Sequence, residues 1–349
     1  MLAEVDNKIW QEDIEKLIQD NIFNSYKNSS ILITGATGLI GSWLVLSFLA
    51  ANRIKKLNNK IYALIRNTDK AKNIFKNVFD DPNMEFVIQD IQDEINISEN
   101  IDYIFHCANI TSSKTMMEKP IDVILSTTLG TNNVLDFAVS KKASVLYLSS
   151  LEIYGKHEIQ KDSIKEDDYG VLDSKNIRNC YPISKKNAET LCLAYHITHN
   201  LDVKIARLTQ TFGPGVSKEE NRVFVQFAKN IIQNKDIVLK TDGLSYKNYC
   251  YITDTISALL MILQKGRKAA VYNVANSETA LTIKDLALRL IENFKSSCLK
   301  FEINEDNPYL ENVHLKLDTA LLESLDWKPK VGIDEMFDRL IEYLKLEGE

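Results

Sequence analysis

Residues 31–41 read ILITGATGLIG. Ile31 to Thr34 suit a buried strand. A turn follows at once with Gly35, Gly38 and Gly41, and then an apolar run that suits a helix. A strand that enters a helix in this way brings free backbone N–H groups and the positive end of the helix dipole to one point, where a pyrophosphate can bind. Glycine lets the chain turn sharply and lets the backbone approach the anion. The strand–turn–helix context raises the triplet above an ordinary glycine-rich turn. Gly35, Thr37, Gly38, Leu39, Ile40 and Gly41 are therefore candidate cofactor contacts.

Outward from this turn, apolar strands alternate with helices. The strand candidates are 31–34, 60–65, 85–88, 102–107, 144–149 and 203–208, and helical stretches such as 39–52 and 121–140 separate them. Continuous apolar strands alternating with helices indicate a parallel sheet covered on both faces. The expected fold is α/β, a Rossmann-type doubly wound parallel sheet with a smaller C-terminal substrate-binding lobe. Residues 1–29 form an N-terminal extension in which Trp10, Ile14, Leu17 and Ile18 mark one helix face. Residues 30–208 form the dinucleotide-binding domain. Residues 209–349 form mainly the lobe, with a part returning to the first domain.

The bulk numbers exclude several classes. The chain has 349 residues, 45% hydrophobic and 26% charged, which suits a large soluble protein with its own core. A net charge of −6 argues against a general nucleic-acid binder. The cysteines Cys107, Cys180, Cys192, Cys250 and Cys298 are scattered and odd in number, as expected of reduced thiols in the cytoplasm. No apolar run reaches membrane-spanning length, and the acidic N-terminus is no signal peptide. His196 and His199 lack a carboxylate at ligand spacing, so no metal is expected.

The chemistry concentrates in two stretches. In NCYPISKKNAETLC (179–192), Tyr181 and Lys185 are four apart and share a helix face. A phenol with pKa ~10 is a poor base at neutral pH. A neighbouring ammonium and a positive nicotinamide favour the phenolate, and a tuned tyrosine can then take a proton from a hydroxyl as hydride leaves the same carbon. In VLYLSSLEIYG (145–155), a buried strand ends at Ser149 and Ser150, and a carboxylate, Glu152, follows. The second strand ends ALIRN. An acid there would bond the ribose of NAD, whereas Arg66 leans toward the 2′-phosphate of NADP.

Together, the GxxGxxG turn, the Ser149-Ser150 strand end and the YxxxK pair resemble the extended short-chain dehydrogenase/reductases, the NAD(P)-dependent epimerase/dehydratase family that modifies nucleotide sugars. ARLTQTFGPG (206–215), NYCYITD (248–254), YNVAN (272–276) and LDWKPKVGIDE (325–335) extend the likeness from about residue 30 to the C-terminus. The resemblance implies Ser150, Tyr181 and Lys185 as catalytic residues. It also implies Asp90, Ile91 and Ala108 as further cofactor contacts beside Tyr181 and Lys185, NAD or NADP as cofactor, a nucleotide-sugar substrate and a homodimer.

Within the family, the residues after the catalytic Ser/Thr separate the chemistries. The 4,6-dehydratases carry Asp-Glu there, the nucleotide-glucuronate decarboxylases Ser-Glu, and simple 4-epimerases small neutral residues. This chain has Leu151-Glu152, so an acid/base role for Glu152 is expected without a partner acid. The motifs are nearest those of the decarboxylase branch. Three departures stand out: Thr127 and Gln210 where relatives have Asn, and Lys247 where they have Arg. Gln210, Arg222 and Lys247 are the candidate substrate contacts. Epimerisation through a 4-keto sugar is the first reading, because it asks only for the shared parts. Decarboxylation or 4,6-dehydration using Glu152 is the second, and an NADPH-dependent keto-sugar reductase the third. The rival of another class, a non-catalytic dinucleotide sensor, would tend to lose the YxxxK pair.

Overall fold

The structure, a computed structural model, describes residues 4–157, 161–295, 298–303 and 312–348. The strands are β1 (Ser30–Thr34), β2 (Lys60–Ile65), β3 (Met84–Ile88), β4 (Tyr103–His106), β5 (Ser144–Ser150), β6 (Val203–Leu208), β7 (Gln210–Phe212), β8 (Ile237–Leu239), β9 (Tyr246–Tyr251), β10 (Val271–Val274), β11 (Asn276–Thr282), β12 (Leu299–Phe301) and β13 (His314–Leu315). Seven of them form one sheet in the order β10-β6-β5-β4-β1-β2-β3. Every pairing in it is parallel.

Both faces of this sheet are covered, and that explains the apolar runs. Ile31 and Ile33 enter one core while Leu32 enters the other. Ile61, Ala63 and Ile65 divide from Tyr62 and Leu64 in the same way. The alternation of a strand is present, but both sides are apolar, so it does not show in the sequence. Strand order reverses beside β1, between β4 and β2. At such a switch point the loops on the two sides part and leave a crevice at the strand C-termini.

The N-terminal helix, Lys8–Leu17, starts where the Asn7 side chain accepts from the N–H groups of Ile9 and Trp10 at 3.1 and 3.3 Å. Its apolar face (Ile9, Trp10, Ile14, Leu17) belongs to the larger core. Trp10 lies 5.9 Å from Trp43 of the helix Leu39–Lys55. Asp13 is buried on the same face and bonds the Arg339 guanidinium at 2.6 Å and the Tyr251 hydroxyl at 2.5 Å.

After β6 the chain builds a smaller sheet around β9, which pairs in parallel with β7 and β13 and antiparallel with β11. β12 pairs with β8. β10 returns to the edge of the large sheet beside β6, and Ala275 alone separates it from β11 in the small one. The two sheets are thereby locked together next to the C-terminal end of β5.

Candidate active site

The glycine turn is held at backbone distance from its neighbours. Gly35 has φ +63°, and a Cβ there would lie 2.7 Å from the Ala108 Cα just after β4. A Cβ on Gly41 would lie 2.3 Å from the Gly35 carbonyl oxygen. Gly38 precedes the helix Leu39–Lys55, and no side chain caps its first N–H groups. Those donors remain available to an anion. Gly38 is exposed, while Thr37, Leu39 and Ile40 are half-buried around it.

Beneath the turn runs a buried polar relay. The Ala108 N–H donates to Thr34 Oγ1 (3.1 Å), which bonds His106 Nδ1 (2.8 Å). On the other side, His106 Nε2 bonds Thr131 Oγ1 (3.1 Å), which donates to the Thr127 carbonyl (2.6 Å). Thr131 spends its proton on Thr127, so Nε2 carries the imidazole hydrogen and Nδ1 accepts from Thr34. Burial, reinforced by the Lys185 charge, pushes His106 down to about 3, and the ring is neutral.

Asp90 and Ile91 follow β3 on the far side of the switch point. Ile91 packs so closely on Gly130 that a Cβ there would sit 2.8 Å from its side chain. Burial raises Asp90, but the Gln92 backbone and side chain and the Arg66 guanidinium outweigh it and hold the carboxyl below its usual range. Arg66 is exposed and pairs with Asp90 at 3.4 Å.

Tyr181 and Lys185 both project from the helix Cys180–His199, whose first turn accepts Pro182 without loss of a hydrogen bond. Both are buried, as is Ser150 at the end of β5. The Tyr181 hydroxyl bonds Ser150. Lys185 Nζ donates to the Leu148 carbonyl at 2.6 Å and lies 4.7 Å from the Tyr147 ring and 5.9 Å from the Tyr181 ring. Burial pushes Lys185 down to about 7. Burial, and then the Glu152 charge, push the Tyr181 phenol up, while Ser150, Arg222 and Arg178 pull it down. Lys185 thus donates to a backbone oxygen while its charge stays beside the Tyr181 ring.

Glu152 sits in the short helical turn Leu151–Tyr154, where its N–H donates to Ser150 Oγ at 3.2 Å. Its carboxylate is gripped by both guanidinium arms of Arg178, at 3.1 and 3.3 Å. Leu151 turns the other way, into an apolar cluster with Ile164, Ala275 and Leu317. Lys247 of β9 is half-buried; burial lowers its pKa, and the Glu152 charge opposes that. Gln210, in register with Tyr249, is half-buried on β7 beside it. Arg222 bonds Glu220 at 2.7 Å, and its charge reaches Tyr181. Ser150, Glu152, Tyr181, Arg222 and Lys247 thus form one electrostatic group, whereas Arg66 belongs with Asp90.

The sequence reading passed over Arg178, although it stands three residues before Tyr181, and Asn109, whose carboxamide bonds the Thr127 hydroxyl at 3.2 Å. Thr127 itself is buried and donates to the Val123 carbonyl at 2.7 Å. His196 Nδ1 bonds the Leu201 carbonyl at 2.9 Å, and among the described residues no cluster of His, Cys, Asp or Glu could hold a metal.

UDP-glucuronic acid decarboxylase 6 of Arabidopsis thaliana is 25% identical over 319 residues, which cover 88% of this chain and 86% of that protein. The UDP-glucose 4-epimerase of Thermotoga maritima, solved with UDP-glucose, superposes with a TM-score of 0.77 at 20% identity, covering 92% of this chain and all of that one. The dTDP-glucose 4,6-dehydratase of Bacillus anthracis, solved with NAD, superposes with a TM-score of 0.74 at 21% identity, covering 91% of this chain and 97% of that one. Both structures share the fold of this chain. Residues 31–275 match the model of the NAD dependent epimerase/dehydratase family, from the glycine turn to the strand that closes the large sheet, and the chain belongs to that family.

Proposed function

We propose that this enzyme oxidises C4 of a nucleotide sugar to a 4-keto intermediate and then returns the hydride, with epimerisation as the net reaction. The observation that carries this reading is the buried meeting of Ser150, Tyr181 and Lys185 beside the uncapped glycine turn. The close-packed glycines and the free N–H groups fit a dinucleotide pyrophosphate. Asp90, Ile91 and Ala108 line its adenosine side, and Tyr181 and Lys185 its nicotinamide side. NAD, when bound, supplies the acceptor for the C4 hydride. Tyr181 takes the O4 proton, and Ser150 and Tyr181 then hold the ketone oxygen. Arg222, Lys247 and Gln210 are the groups for the nucleotide diphosphate and the sugar.

A second reading is favoured by Glu152, whose carboxylate lies close enough for its charge to bear on Tyr181. A ketone at C4 acidifies C5, and it makes a C6 carboxylate a leaving group. Glu152 would then move the proton at C5, as decarboxylation requires, and the relatives named as UDP-glucuronic acid decarboxylases support it. Dehydration has less support, since Leu151 carries no proton to give a leaving hydroxyl and is buried away from Glu152.

Incubation with UDP-, GDP-, CDP- and dTDP-sugars, read by mass spectrometry and NMR, tests both. An epimer of unchanged mass supports the first reading, and CO2 loss the second. No conversion of any sugar defeats both. A homodimer is supported by Ile121, Leu125 and Leu129, exposed on successive turns of the helix Pro120–Lys141. Light scattering that gives a monomer mass refutes it.

A further inference from the structure

Arg178 opens the RNCY stretch before Tyr181, which gives it no role by itself, yet it grips Glu152 with two arms at 3.1 and 3.3 Å. We infer that Arg178 is a positioning residue: its fork holds the Glu152 carboxylate at the sugar, one carbon along from the hydroxyl that Tyr181 serves. The inference rests on the 4-keto reading and deepens it.

Both ends of the pair are rooted in segments that carry the reacting groups. Arg178 lies in the short turn Ile177–Asn179, which runs straight into the helix of Tyr181 and Lys185. Its own N–H is fixed by the Asn176 side chain at 3.0 Å. Glu152 hangs from Ser150 through its N–H at 3.2 Å, and Ser150 bonds Tyr181. Tyr181, Ser150, Glu152 and Arg178 therefore close a ring, and a shift at one member moves the others. A planar fork on a carboxylate sets direction as well as distance, which a lysine cannot do.

Glu152 needs such a partner. Its neighbour Leu151 faces an apolar cluster and offers it no partner acid. The Glu152 side chain is one-third exposed and has several rotatable bonds. Released from Arg178, it would turn to water. Plain stabilisation is a poor account of the pair, because part-exposed ion pairs contribute little to folding. Held in place, Glu152 can act once C4 is a ketone. The C5–H bond breaks, the proton goes to the carboxylate, the freed pair becomes a C4–C5 double bond, and the carbonyl pair moves onto the O4 oxygen held by Ser150 and Tyr181. Return of a proton to C5 restores the ketone.

The test uses the full chain loaded with NAD, in deuterium oxide, with UDP-glucose, UDP-glucuronate and dTDP-glucose. Reduced-cofactor absorbance reports the step at C4, and deuterium at C5 reports the step at Glu152. Arg178→Ala should slow deuterium entry on the order of 10²-fold, the effect of a misplaced catalytic group, and slow cofactor reduction far less. Arg178→Lys should recover part of it. Arg178→Ala/Glu152→Gln should be no slower than Glu152→Gln alone, because both changes remove one function. Wild-type exchange in Arg178→Ala overturns the inference, as do losses that multiply in the double variant or cofactor reduction slowed as much as exchange. If the wild type reduces its cofactor but admits no deuterium at C5, the role of Arg178 falls and the 4-keto reading stands. If no sugar reduces the cofactor, the 4-keto reading falls with it.

Discussion

The turn after β1 and the ledge after β5 lie at the same end of one sheet, with β4 between them, yet they are built from different materials. The turn is almost all backbone: Gly35 against Ala108, Gly41 against the Gly35 carbonyl, no room for a Cβ at either. The ledge is all side chains: Glu152, Arg178, Lys247 and Arg222 come from four separate segments, part-exposed and mutually charged. A backbone cradle suits the phosphates that every member of such a family must hold, and it tolerates little change. A ledge of long side chains can be re-equipped one residue at a time, which is where the proposed reaction would be chosen. Leu151 and Lys247 stand where the resemblance led one to expect other residues.

The sharpest way to separate the two regions is Tyr181→Phe. The cradle is untouched, so the protein should retain its cofactor, with NAD affinity measured by calorimetry falling little. Turnover should fall on the order of 10²–10⁴-fold, the usual loss for an acid/base. Wild-type rates in the folded variant would remove Tyr181 from the chemistry. Gly41→Ala is the reciprocal change. Its methyl must displace the Gly35 carbonyl, which a Cβ would meet at 2.3 Å. Overpacking of this kind costs about 1–3 kcal/mol. Stability should drop by about that free energy, and cofactor affinity should fall with the displaced turn while the Tyr181 group keeps its form. Unchanged NAD binding would mean that the turn is looser than its packing implies.

The same contrast explains what could be read from the chain alone. The turn at 31–41, the strand at 60–65 and the strand at 203–208 are local: a few consecutive residues carry all the information, and the strands fall where the apolar runs are. The helix Lys8–Leu17 was legible from its stripe. The small sheet was not, because β7 and β13 have three and two residues, too few to show any period. Their partner is chosen by packing at long range, as is the return of β10 to the large sheet. Arg178 escaped for a related reason. It meets Glu152 across 26 residues of chain, and nothing in RNCY says which carboxylate it will find. The YxxxK spacing located the helix and both side chains on it, but not the bond from Lys185 to the Leu148 carbonyl.

Between the two regions lies His106, buried in the relay under the turn and sensing Lys185. Its folded value, about 3, is below the unfolded value of ~6.5. Above pH 6.5 neither state holds the extra proton, and the contribution to stability is full. As pH falls from 6.5 toward 3, the unfolded chain takes up a proton that the fold refuses, and stability is lost. At pH 5 the loss from this group should be about 2 kcal/mol, at 1.36 kcal/mol per unit. His106→Asn should be less stable at pH 7 and lose correspondingly less between pH 7 and 5, by urea denaturation. Equal slopes for variant and wild type would show that His106 is not held neutral.

The smallest effect is expected at Arg66, where the cradle has an outlying side chain of the kind that makes up the ledge. Arg66 is exposed, and its guanidinium is shared with Asp90 at 3.4 Å, a surface pair worth ~0–1 kcal/mol. If Arg66 serves a 2′-phosphate, it must leave Asp90 for the ligand, and the Asp90 charge then works against the phosphate. If the cofactor is plain NAD, as the family description has it, Arg66 has only Asp90 to hold, and Asp90 is left in place for the adenosine. Arg66→Asp distinguishes the two by calorimetry with each cofactor. It should weaken NADP binding well beyond NAD binding, because a partner for the phosphate becomes a repelling charge while the ribose hydroxyl of NAD gains an acceptor. Arg66→Ala removes the charge without adding one and should fall between them. Equal losses for NAD and NADP would mean that Arg66 only steadies Asp90, and the choice of cofactor would then lie in the backbone of the cradle alone.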